Sequence, residues 1–318
     1  MIGRKIWFNG AIVPVDQAKV NVLSPTAQYG INVFEGIRCY KSARSADQLL
    51  VFRLSDHLRR LMGSARLMGI VPPYSVKELE QYLTETIAAN DYHDDTIVRM
   101  TLFVDGEGSW NSTEPVGMFI APILKKRGSA TLTHGLKACV STWQRIHDNS
   151  LPPRVKAGAN YLNGRYAHLE ARRQGCDVPL LLGHDGKLAE GAGACVFIYR
   201  DGALATPPPT SSTLESITRA TLLELAREAG IQVNERPVDR TELYLADEVF
   251  LCGTAAEVSP IVSVDNFTVG CGQAGPVTLA LLEAYLLAAS DAKPSYSHWL
   301  TPVYVQTHHH SEELFNCA

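Results

Sequence analysis

Short runs of alternating apolar and polar residues at the start of the chain predict strands. The run over residues 6–13 has the dipeptide Asn9-Gly10 at its centre, and this dipeptide favours a type I′ turn between antiparallel strands. A longer run over residues 96–104 predicts a further strand that ends at Asp105-Gly106. These patterns indicate antiparallel pairing in the first third of the chain.

Two helices are predicted between these strands. The first begins at Ser55, a suitable N-cap, and ends at Gly69, because leucines recur at helical spacing between them. The second begins at Ser75, where Ser75 and Glu78 have the spacing of a capping box. Strands joined by turns and flanked by a few helices favour an α+β fold over a doubly wound parallel sheet.

A charged segment near the middle of the chain is the best candidate for a linker between two domains. The segment Lys125-Lys126-Arg127-Gly128-Ser129 lies between two apolar, strand-like runs. We therefore predict a small N-terminal α+β domain over residues 1–124, a linker over 125–131, a larger C-terminal domain over 132–302 and a tail over 303–318. The larger domain is predicted to contain a strand near 136–142, helices near 160–174 and 217–229, and hairpin turns at Asp185-Gly186 and Asp201-Gly202.

The charge and apolar content of the chain argue against a nucleic-acid-binding, secreted or membrane-spanning protein. The 318 residues include 29 basic and 33 acidic side chains, for a formal net charge of −4, so no nucleic-acid partner is expected. The amino terminus lacks the apolar core of a signal peptide. The most apolar helical stretch, 277–289, is too short to span a bilayer and contains Glu283. We expect a cytoplasmic protein without a membrane segment.

Cysteine and histidine residues give no sign of a metal site. The seven cysteines are scattered singly, without a Cys-x-x-Cys pair, which suits a reducing compartment and predicts neither a disulfide framework nor a zinc site. The run His308-His309-His310 lies in the tail. We interpret it as part of a mobile or partner-packed terminus and not as a metal ligand set.

The first candidate for chemistry is Lys156. A single lysine is usually a solvated surface group, but Ala157, Gly158 and Ala159 follow this one, and a helix is predicted to begin immediately afterwards with Asn160. Small residues allow a bulky ligand to approach the backbone. A lysine that forms a Schiff base needs such a fixed position where a loop enters a helix inside a cleft.

Two further segments have the composition of a ligand site. Glu190 is a single carboxylate among small residues before an apolar strand; it is either an exposed hairpin carboxylate or the partner of a protonated heteroaromatic nitrogen. The hydroxyl-rich segment 210–219 opens a helix, and its residues either only cap that helix or leave the amides of Ile217 and Thr218 free for a phosphate. The loop that begins at Gly253 would complete such a phosphate site.

The order and spacing of these segments resemble the branched-chain amino acid aminotransferases, which are fold type IV enzymes dependent on pyridoxal 5′-phosphate. The similarity extends from about Ile6 to Trp299. The matching segments are Tyr29-Gly30-Ile31-Asn32-Val33-Phe34-Glu35-Gly36-Ile37-Arg38, Val51-Phe52-Arg53 leading to Arg59-Arg60-Leu61, Lys156-Ala157-Gly158-Ala159-Asn160-Tyr161-Leu162, Glu190-Gly191-Ala192-Gly193, Ile217-Thr218-Arg219, Tyr244-Leu245-Ala246-Asp247-Glu248-Val249-Phe250 and Gly253-Thr254-Ala255-Ala256-Glu257.

The resemblance implies a role for each matching residue. Lys156 would bind the cofactor covalently and carry the substrate proton. The residues implied to bind the rest of the cofactor are Arg60 at the phosphate, Tyr161 at the phenolic oxygen, Glu190 at the pyridine nitrogen, Leu214 against the ring, and Ile217, Thr218 and Thr254 around the phosphate. The residues implied to bind the substrate are Tyr29, Phe34, Arg38 and Arg99 along the pocket, and Thr254 and Ala255 at the carboxylate.

The same resemblance implies a reaction and an assembly. The expected activity is ping-pong transfer of an amino group between a branched-chain L-amino acid (leucine, isoleucine or valine) and 2-oxoglutarate. The expected partners are an amino acid and a 2-keto acid. Members of this family form homodimers or larger assemblies in which active sites borrow residues from the neighbouring subunit.

Three positions depart from the pattern of the family and bear on the substrate. Ile97 holds the place of a tyrosine two residues before Arg99, so a pocket hydroxyl is missing. Lys125 and Lys126 hold the place of an interdomain aromatic; their charge could admit a polar substrate or could be solvated. Ser216 replaces a glycine before the phosphate-binding pair, and serine is a good capping residue.

Several alternatives stay open on the sequence alone. Within the same fold these are a specialised biosynthetic aminotransferase, a D-amino acid or amine transaminase, and a lyase of the kind that forms 4-aminobenzoate. A non-catalytic protein that binds the cofactor is a different class. The presence of Lys156, Glu190 and Arg60 together argues against that class, since a scaffold has no need of a buried amine and carboxylate with matched partners.

Overall fold

A computed structural model describes residues 3–128 and 134–304 of the chain. The first sheet has seven strands, which are β1 Lys5–Phe8, β2 Ala11–Pro14, β3 Asn32–Lys41, β4 Leu49–Phe52, β5 Thr96–Val104, β6 Val116–Leu124 and β16 Leu300–Pro302. All of their pairs are antiparallel, and their order in the sheet is β16-β4-β3-β5-β6-β1-β2. Because β16 pairs with β4, the end of the described chain returns to the first sheet.

The second sheet has nine strands and mixes parallel with antiparallel pairs. The order is β12-β11-β10-β13-β14-β7-β8-β9, with β15 paired to β14; the pairs β11·β12, β14·β7 and β7·β8 are parallel. The bounds are β7 Leu136–Val140, β8 Val178–Leu182, β9 Leu188–Gly191, β10 Cys195–Arg200, β11 Ala203–Thr206, β12 Gln232–Glu235, β13 Glu248–Gly253, β14 Glu257–Val264 and β15 Phe267–Thr268.

Helices cover the two sheets. The α-helices are α1 Pro25–Tyr29, α2 Leu54–Leu67, α3 Val76–Ala88, α4 Tyr161–Arg173, α5 Ile217–Glu228, α6 Glu242–Leu245 and α7 Pro276–Ala289, and a 3₁₀-helix spans Pro294–Trp299. Helices α2 and α3 pack their apolar faces on the first sheet through Leu58, Leu61 and Leu83. Helices α5 and α7 do the same on the second sheet through Leu222, Leu225 and Tyr285. In the part of the chain that the structure covers, no helix is long and apolar enough to cross a bilayer.

Most of the local predictions are confirmed. Asn9 and Gly10 both have positive φ in the turn between β1 and β2, and the Ser75–Glu78 capping box forms with both of its hydrogen bonds. The predicted α+β class is confirmed by two largely antiparallel sheets with flanking helices. The domain boundaries remain a prediction.

The predicted N-cap at Ser55 is wrong. Helix α2 begins at Leu54, and Arg53 occupies the cap position with φ 55°. The chain passes from β4 directly into the helix, so the cap residue must make a sharp turn. Tertiary contacts hold it there: the Arg53 amide donates to the Trp299 carbonyl at 2.7 Å, and the guanidinium lies over the Trp299 ring.

Candidate active site

One cleft collects residues from both sheets and from the loops that join them. It encloses about 940 Å³ of space, including the part open to solvent. One wall comes from the first sheet, through Phe34, Ile97 and Arg99. The remaining walls come from segments near Lys156, near Glu190 and near Thr254. The predicted site residues in this lining are Phe34, Arg60, Arg99, Lys156, Tyr161, Glu190, Leu214, Thr254 and Ala255.

The backbone around Lys156 is fixed from two sides. The Lys156 carbonyl accepts a hydrogen bond from the Phe34 amide at 3.0 Å, and the Lys156 amide donates to Ser64 Oγ at 3.1 Å. The lysine is therefore held between β3 and α2 while its side chain extends into the cleft. Lys156 Nζ lies 2.6 Å from Tyr161 Oη, so an amine and a phenol are already hydrogen-bonded.

Two glycines explain how the helix after Lys156 packs so closely. A Cβ at Gly158 would lie 2.6 Å from Asn32 Oδ1, and a Cβ at Gly164 would lie 2.5 Å from the Ala192 carbonyl oxygen. Neither position has space for a side chain. Helix α4 can therefore approach both β3 and the loop after Glu190, which brings Lys156 and Glu190 to the same cleft.

Glu190 is a buried carboxylate with several donors. Arg145 Nε lies 2.7 Å from Oε1. The second oxygen accepts from the Leu214 amide at 3.2 Å, and Cys195 Sγ lies 3.9 Å from it. The side chain is only 5% exposed, so the prediction of a buried functional carboxylate is favoured over an exposed hairpin residue. Burial and the nearby Glu190 charge raise the pKa of Cys195 to about 12, so this thiol stays protonated and can donate.

Arg60 is held by a second buried carboxylate, Glu35. Glu35 accepts from Arg60 Nε and Nη2, both at 2.7 Å, and from His57 Nδ1 at 2.7 Å. Burial alone would raise the pKa of Glu35, but the Arg60 charge and these hydrogen bonds lower it to about 2. Burial lowers the pKa of His57, against the effect of its bond to Glu35. Near neutral pH the group is therefore an ionised Glu35, a charged Arg60 and a neutral His57.

The start of helix α5 lies next to Arg60. Arg60 Nη1 donates to the Glu215 carbonyl at 2.8 Å, and Ser216 caps the helix by accepting from the Arg219 amide. The amides of Ile217 and Thr218 have no partner within the helix, because the first turn lacks preceding carbonyls. Ser216 lines the cleft itself, whereas the side chains of Ile217 and Thr218 are buried behind it.

These groups fit pyridoxal phosphate. The cleft offers an amine for the aldehyde, a phenol beside it, a carboxylate for the ring nitrogen, and an arginine with a helix N-terminus for the phosphate. Glu190 adds specific support, because it lines the cleft and a carboxylate oxygen can accept a further hydrogen bond from a protonated ring nitrogen.

Arg99 is a cation on the wall of the cleft that the first sheet forms. Its guanidinium lies over the Phe34 ring, 4.2 Å from the centroid, and burial lowers its pKa. Among the described residues Arg99 has no ion pair and no hydrogen bond through its side chain. The arrangement therefore leaves its N–H groups available for an anion.

Two predicted substrate residues do not line the cleft. Tyr29 ends helix α1 and is 47% exposed. Arg38 is buried: its Nη2 lies 2.8 Å from Glu257 Oε1, and its Nη1 donates to the Lys125 carbonyl at 2.7 Å. Arg38 thus connects β3 to β14 and to the start of the predicted linker.

The three departures from the family pattern have different positions. Ile97 and Ser216 line the cleft, Ser216 at the start of α5, but Lys125 and Lys126 are absent from the lining. Residues 129–131 of the predicted linker and the histidine run at 308–310 lie outside the described residues. Within the described ranges, no group of three His, Cys, Asp or Glu side chains is placed to hold a metal ion.

Sequence reasoning missed the residues that support the site from behind. Arg145 and His57 have no local pattern that marks them, and Glu35 was noted only as part of a matching segment. Their partners lie 45, 22 and 25 residues away along the chain. A local pattern cannot reveal such pairs, since only the fold brings them together.

The comparisons with known proteins agree in family and in fold. A family model described as amino-transferase class IV matches residues 32–264. The branched-chain-amino-acid aminotransferase of Escherichia coli strain K12 is 41% identical over 304 residues, which cover 94% of this chain and 97% of that protein.

Two solved structures have similar folds. A crystal structure of the branched-chain amino acid aminotransferase of Escherichia coli has a TM-score of 0.90 and 39% identity, covering 94% of this chain and 99% of that one. The T.th. branched-chain amino acid aminotransferase complexed with N-(5′-phosphopyridoxyl)-L-glutamate has a TM-score of 0.88 and 37% identity, covering 94% and 98%.

Proposed function

Because this chain belongs to the amino-transferase class IV family, we propose that it transfers the amino group of a branched-chain L-amino acid to 2-oxoglutarate with pyridoxal 5′-phosphate. The predicted family is confirmed by relatives that share about 40% identity along nearly the whole chain. These relatives are named branched-chain-amino-acid aminotransferases, and two of the solved structures contain pyridoxyl or pyridoxamine phosphate groups.

The observation that carries the proposal is the hydrogen-bonded pair of Lys156 and Tyr161, which shares one cleft with Glu190 and Arg60. When bound, pyridoxal phosphate supplies a conjugated ring that accepts the electron pair released as the substrate Cα loses its proton. A non-catalytic binding protein would need neither a free amine beside a phenol nor a buried carboxylate.

Lys156 is the residue that we expect to move the proton. Its fixed backbone and its 2.6 Å contact with Tyr161 confine Nζ to one position in the cleft. A base held within hydrogen-bond reach of the reacting carbon can take a proton and return it to a neighbouring atom. Tyr161 would orient the amine and the cofactor oxygen together.

Glu190, Arg60 and the first turn of α5 would hold the cofactor at its other ends. Glu190 would keep the ring nitrogen positively charged, because an ionised carboxylate favours a cationic partner. Arg60 and the amides of Ile217 and Thr218 would bind the phosphate, and Thr254 would close that end of the site. Leu214 would pack on the face of the ring.

The substrate side combines apolar surface with the Arg99 cation. Phe34, Ile97 and Val155 line the cleft and suit a branched aliphatic side chain. Arg99 suits the second carboxylate of 2-oxoglutarate. The T.th. relative is complexed with a glutamate adduct in its structure, which supports the proposal of a dicarboxylate as the second substrate.

A visible absorption spectrum tests the proposed donor. The purified protein reconstituted with pyridoxal phosphate should have a visible band that bleaches with L-leucine and returns with 2-oxoglutarate. A band that ignores leucine, isoleucine and valine but responds to another amine would replace the proposed donor. A protein that binds no cofactor would contradict the whole proposal.

The role of Arg99 can be tested by comparing two acceptors. Arg99→Gln should lower kcat/KM for 2-oxoglutarate about 10- to 100-fold, since a hydrogen bond to a charged group contributes roughly 1.5–3 kcal/mol. The same variant should change kcat/KM for the monocarboxylate 4-methyl-2-oxopentanoate less than about 3-fold. Equal losses for both acceptors would mean that Arg99 maintains the shape of the pocket and does not bind the second carboxylate.

We also propose a homodimer or larger assembly and a cytoplasmic location. Large apolar side chains are exposed on the surface, with Tyr29 47%, Leu162 58% and Trp110 68% accessible. Exposed apolar side chains are typical of protein interfaces where they form one contiguous patch. Sedimentation velocity would measure the assembly, and a monomer at micromolar concentration would contradict it.

A further inference from the structure

We propose that Arg145 is a positioning residue that fixes Glu190 for its contact with the ring nitrogen of the cofactor. This inference rests on the proposed function, because it concerns the same site. Arg145 was not among the residues that the sequence pointed to, and it lies on the loop between β7 and Pro152.

Arg145 is the only ion-pair partner of Glu190 within residues 3–128 and 134–304. The pair is well shielded, with the two side chains 11% and 5% exposed, and its N–O distance is 2.7 Å. The contact occupies Oε1, while Oε2 receives the Leu214 amide at 3.2 Å and the Cys195 thiol at 3.9 Å. Arg145 is the only charged donor of the three, so its contact with Oε1 sets the rotation of the Glu190 carboxylate.

Arg145 is itself held in place from two directions. Its amide donates to the Leu182 carbonyl at 2.8 Å, and Leu182 belongs to β8, the strand that pairs with the strand of Glu190. Its Nη1 donates to Asn163 Oδ1 at 3.3 Å. Asn163 lies in α4, and it also donates to the Gln144 carbonyl at 2.8 Å.

These contacts connect the part of the site around Lys156 and Tyr161 to the part around Glu190. Helix α4 begins five residues after Lys156 and carries Tyr161, and its Asn163 supports Arg145, which in turn supports Glu190. Loss of the Arg145 contact would leave the buried Glu190 carboxylate partly unpaired, and such a group either moves or takes up a proton. A protonated or rotated Glu190 could not hold a positive charge on the ring nitrogen.

The test measures the ring nitrogen directly. The apoenzyme is reconstituted with pyridoxal phosphate labelled with ¹⁵N in the ring, and the ¹⁵N chemical shift is recorded for wild type, Arg145→Met and Arg145→Lys. Arg145→Met should move the shift toward the unprotonated value and lower kcat about 10- to 100-fold, the range seen when the hydrogen-bond partners of metal ligands are removed. Arg145→Lys keeps the charge and should recover most of both.

Control variants separate positioning from folding. Arg165→Met removes an exposed arginine from the same helix, α4, and should leave the shift and kcat unchanged. If Arg145→Met fails to fold, Asn163→Ala keeps the ion pair but removes its support, and it should give a smaller shift in the same direction.

Three outcomes are distinguishable. The role of Arg145 would be overturned if folded Arg145→Met gave the same ¹⁵N shift as wild type. If Arg145→Met does not fold, a wild-type shift in Asn163→Ala would overturn it in the same way. A changed shift with rescue by lysine would support it. If the wild-type protein binds no labelled cofactor, the proposed function fails first, and this inference fails with it.

Discussion

Replacing Lys156 with alanine should reduce transamination at least about 10²- to 10⁴-fold, the range that a positioned acid–base group contributes. The loss follows from the position of the amine, which lies 2.6 Å from Tyr161 Oη in a cleft with Glu190 and Arg60. Tyr161 cannot replace it, because a phenol does not form a Schiff base. Single-turnover kinetics with L-leucine would measure the loss without interference from product release.

A chemical measurement checks the covalent role independently of the rate. Borohydride reduction of the wild-type holoenzyme should fix one cofactor per chain, detected as added mass on the peptide that contains Lys156. Lys156→Ala should carry no fixed cofactor, and Lys156→Arg should not restore it, since a guanidinium is always charged. The exposed Lys77 provides the control: Lys77→Ala should behave as wild type. Fixed cofactor on another lysine of Lys156→Ala would contradict the assignment.

Features that depend on neighbours in sequence could be predicted well. The turn at Asn9-Gly10 and the Ser75–Glu78 capping box each need only a few consecutive residues. The segment from Lys156 to Tyr161 belongs to the same class, because small residues followed by a helix start are visible in the sequence. The strand over Thr96–Val104 was also predicted with its observed bounds.

Features that depend on the fold could not be predicted in this way. The resemblance implies that Arg38 binds substrate, whereas in the structure Arg38 is paired with Glu257, 219 residues away, and is not among the residues that line the cleft. The same limit applies to Arg53, which lies at the cap position of α2 in contact with Trp299, a residue far away along the chain. A sequence pattern specifies which residues are available, whereas the long-range pairings decide which of them face the ligand.

A second large effect is expected from Glu35→Gln. Glu35 Oε1 accepts from Arg60 Nε, and Oε2 accepts from Arg60 Nη2 and His57 Nδ1. In either orientation of its amide, the glutamine would place an NH₂ group opposite an N–H group of Arg60. Both groups are hydrogen-bond donors, so that hydrogen bond would be lost. Breaking a buried pair by removing one charge costs roughly 3–5 kcal/mol. The free energy of unfolding of the apoenzyme, measured with urea, should fall by this amount.

The same substitution should weaken cofactor binding. Arg60 would keep only one of the two bonds that set the plane of its guanidinium, and the Arg60 contact with a phosphate would be less well oriented. We expect the Kd for pyridoxal phosphate, measured by fluorescence titration of the apoenzyme, to rise about 10- to 100-fold, the range found when the hydrogen-bond partners of metal ligands are removed. Glu283→Gln, on the exposed surface of α7, should change neither stability nor Kd.

The effect of Glu35 on stability should also depend on pH in a defined direction. Its pKa is about 2 in the folded protein, below the ordinary value of 4.5, so the folded state binds this proton less readily than the unfolded state. The stabilisation is fully present above pH 4.5 and is lost as the pH falls toward 2; its size is roughly 3 kcal/mol. The difference in unfolding free energy between wild type and Glu35→Gln should therefore be constant from pH 5 to 8 and shrink below pH 4.5. A difference that stays constant down to pH 3 would mean that the carboxylate charge contributes little and that Glu35 acts mainly through its shape.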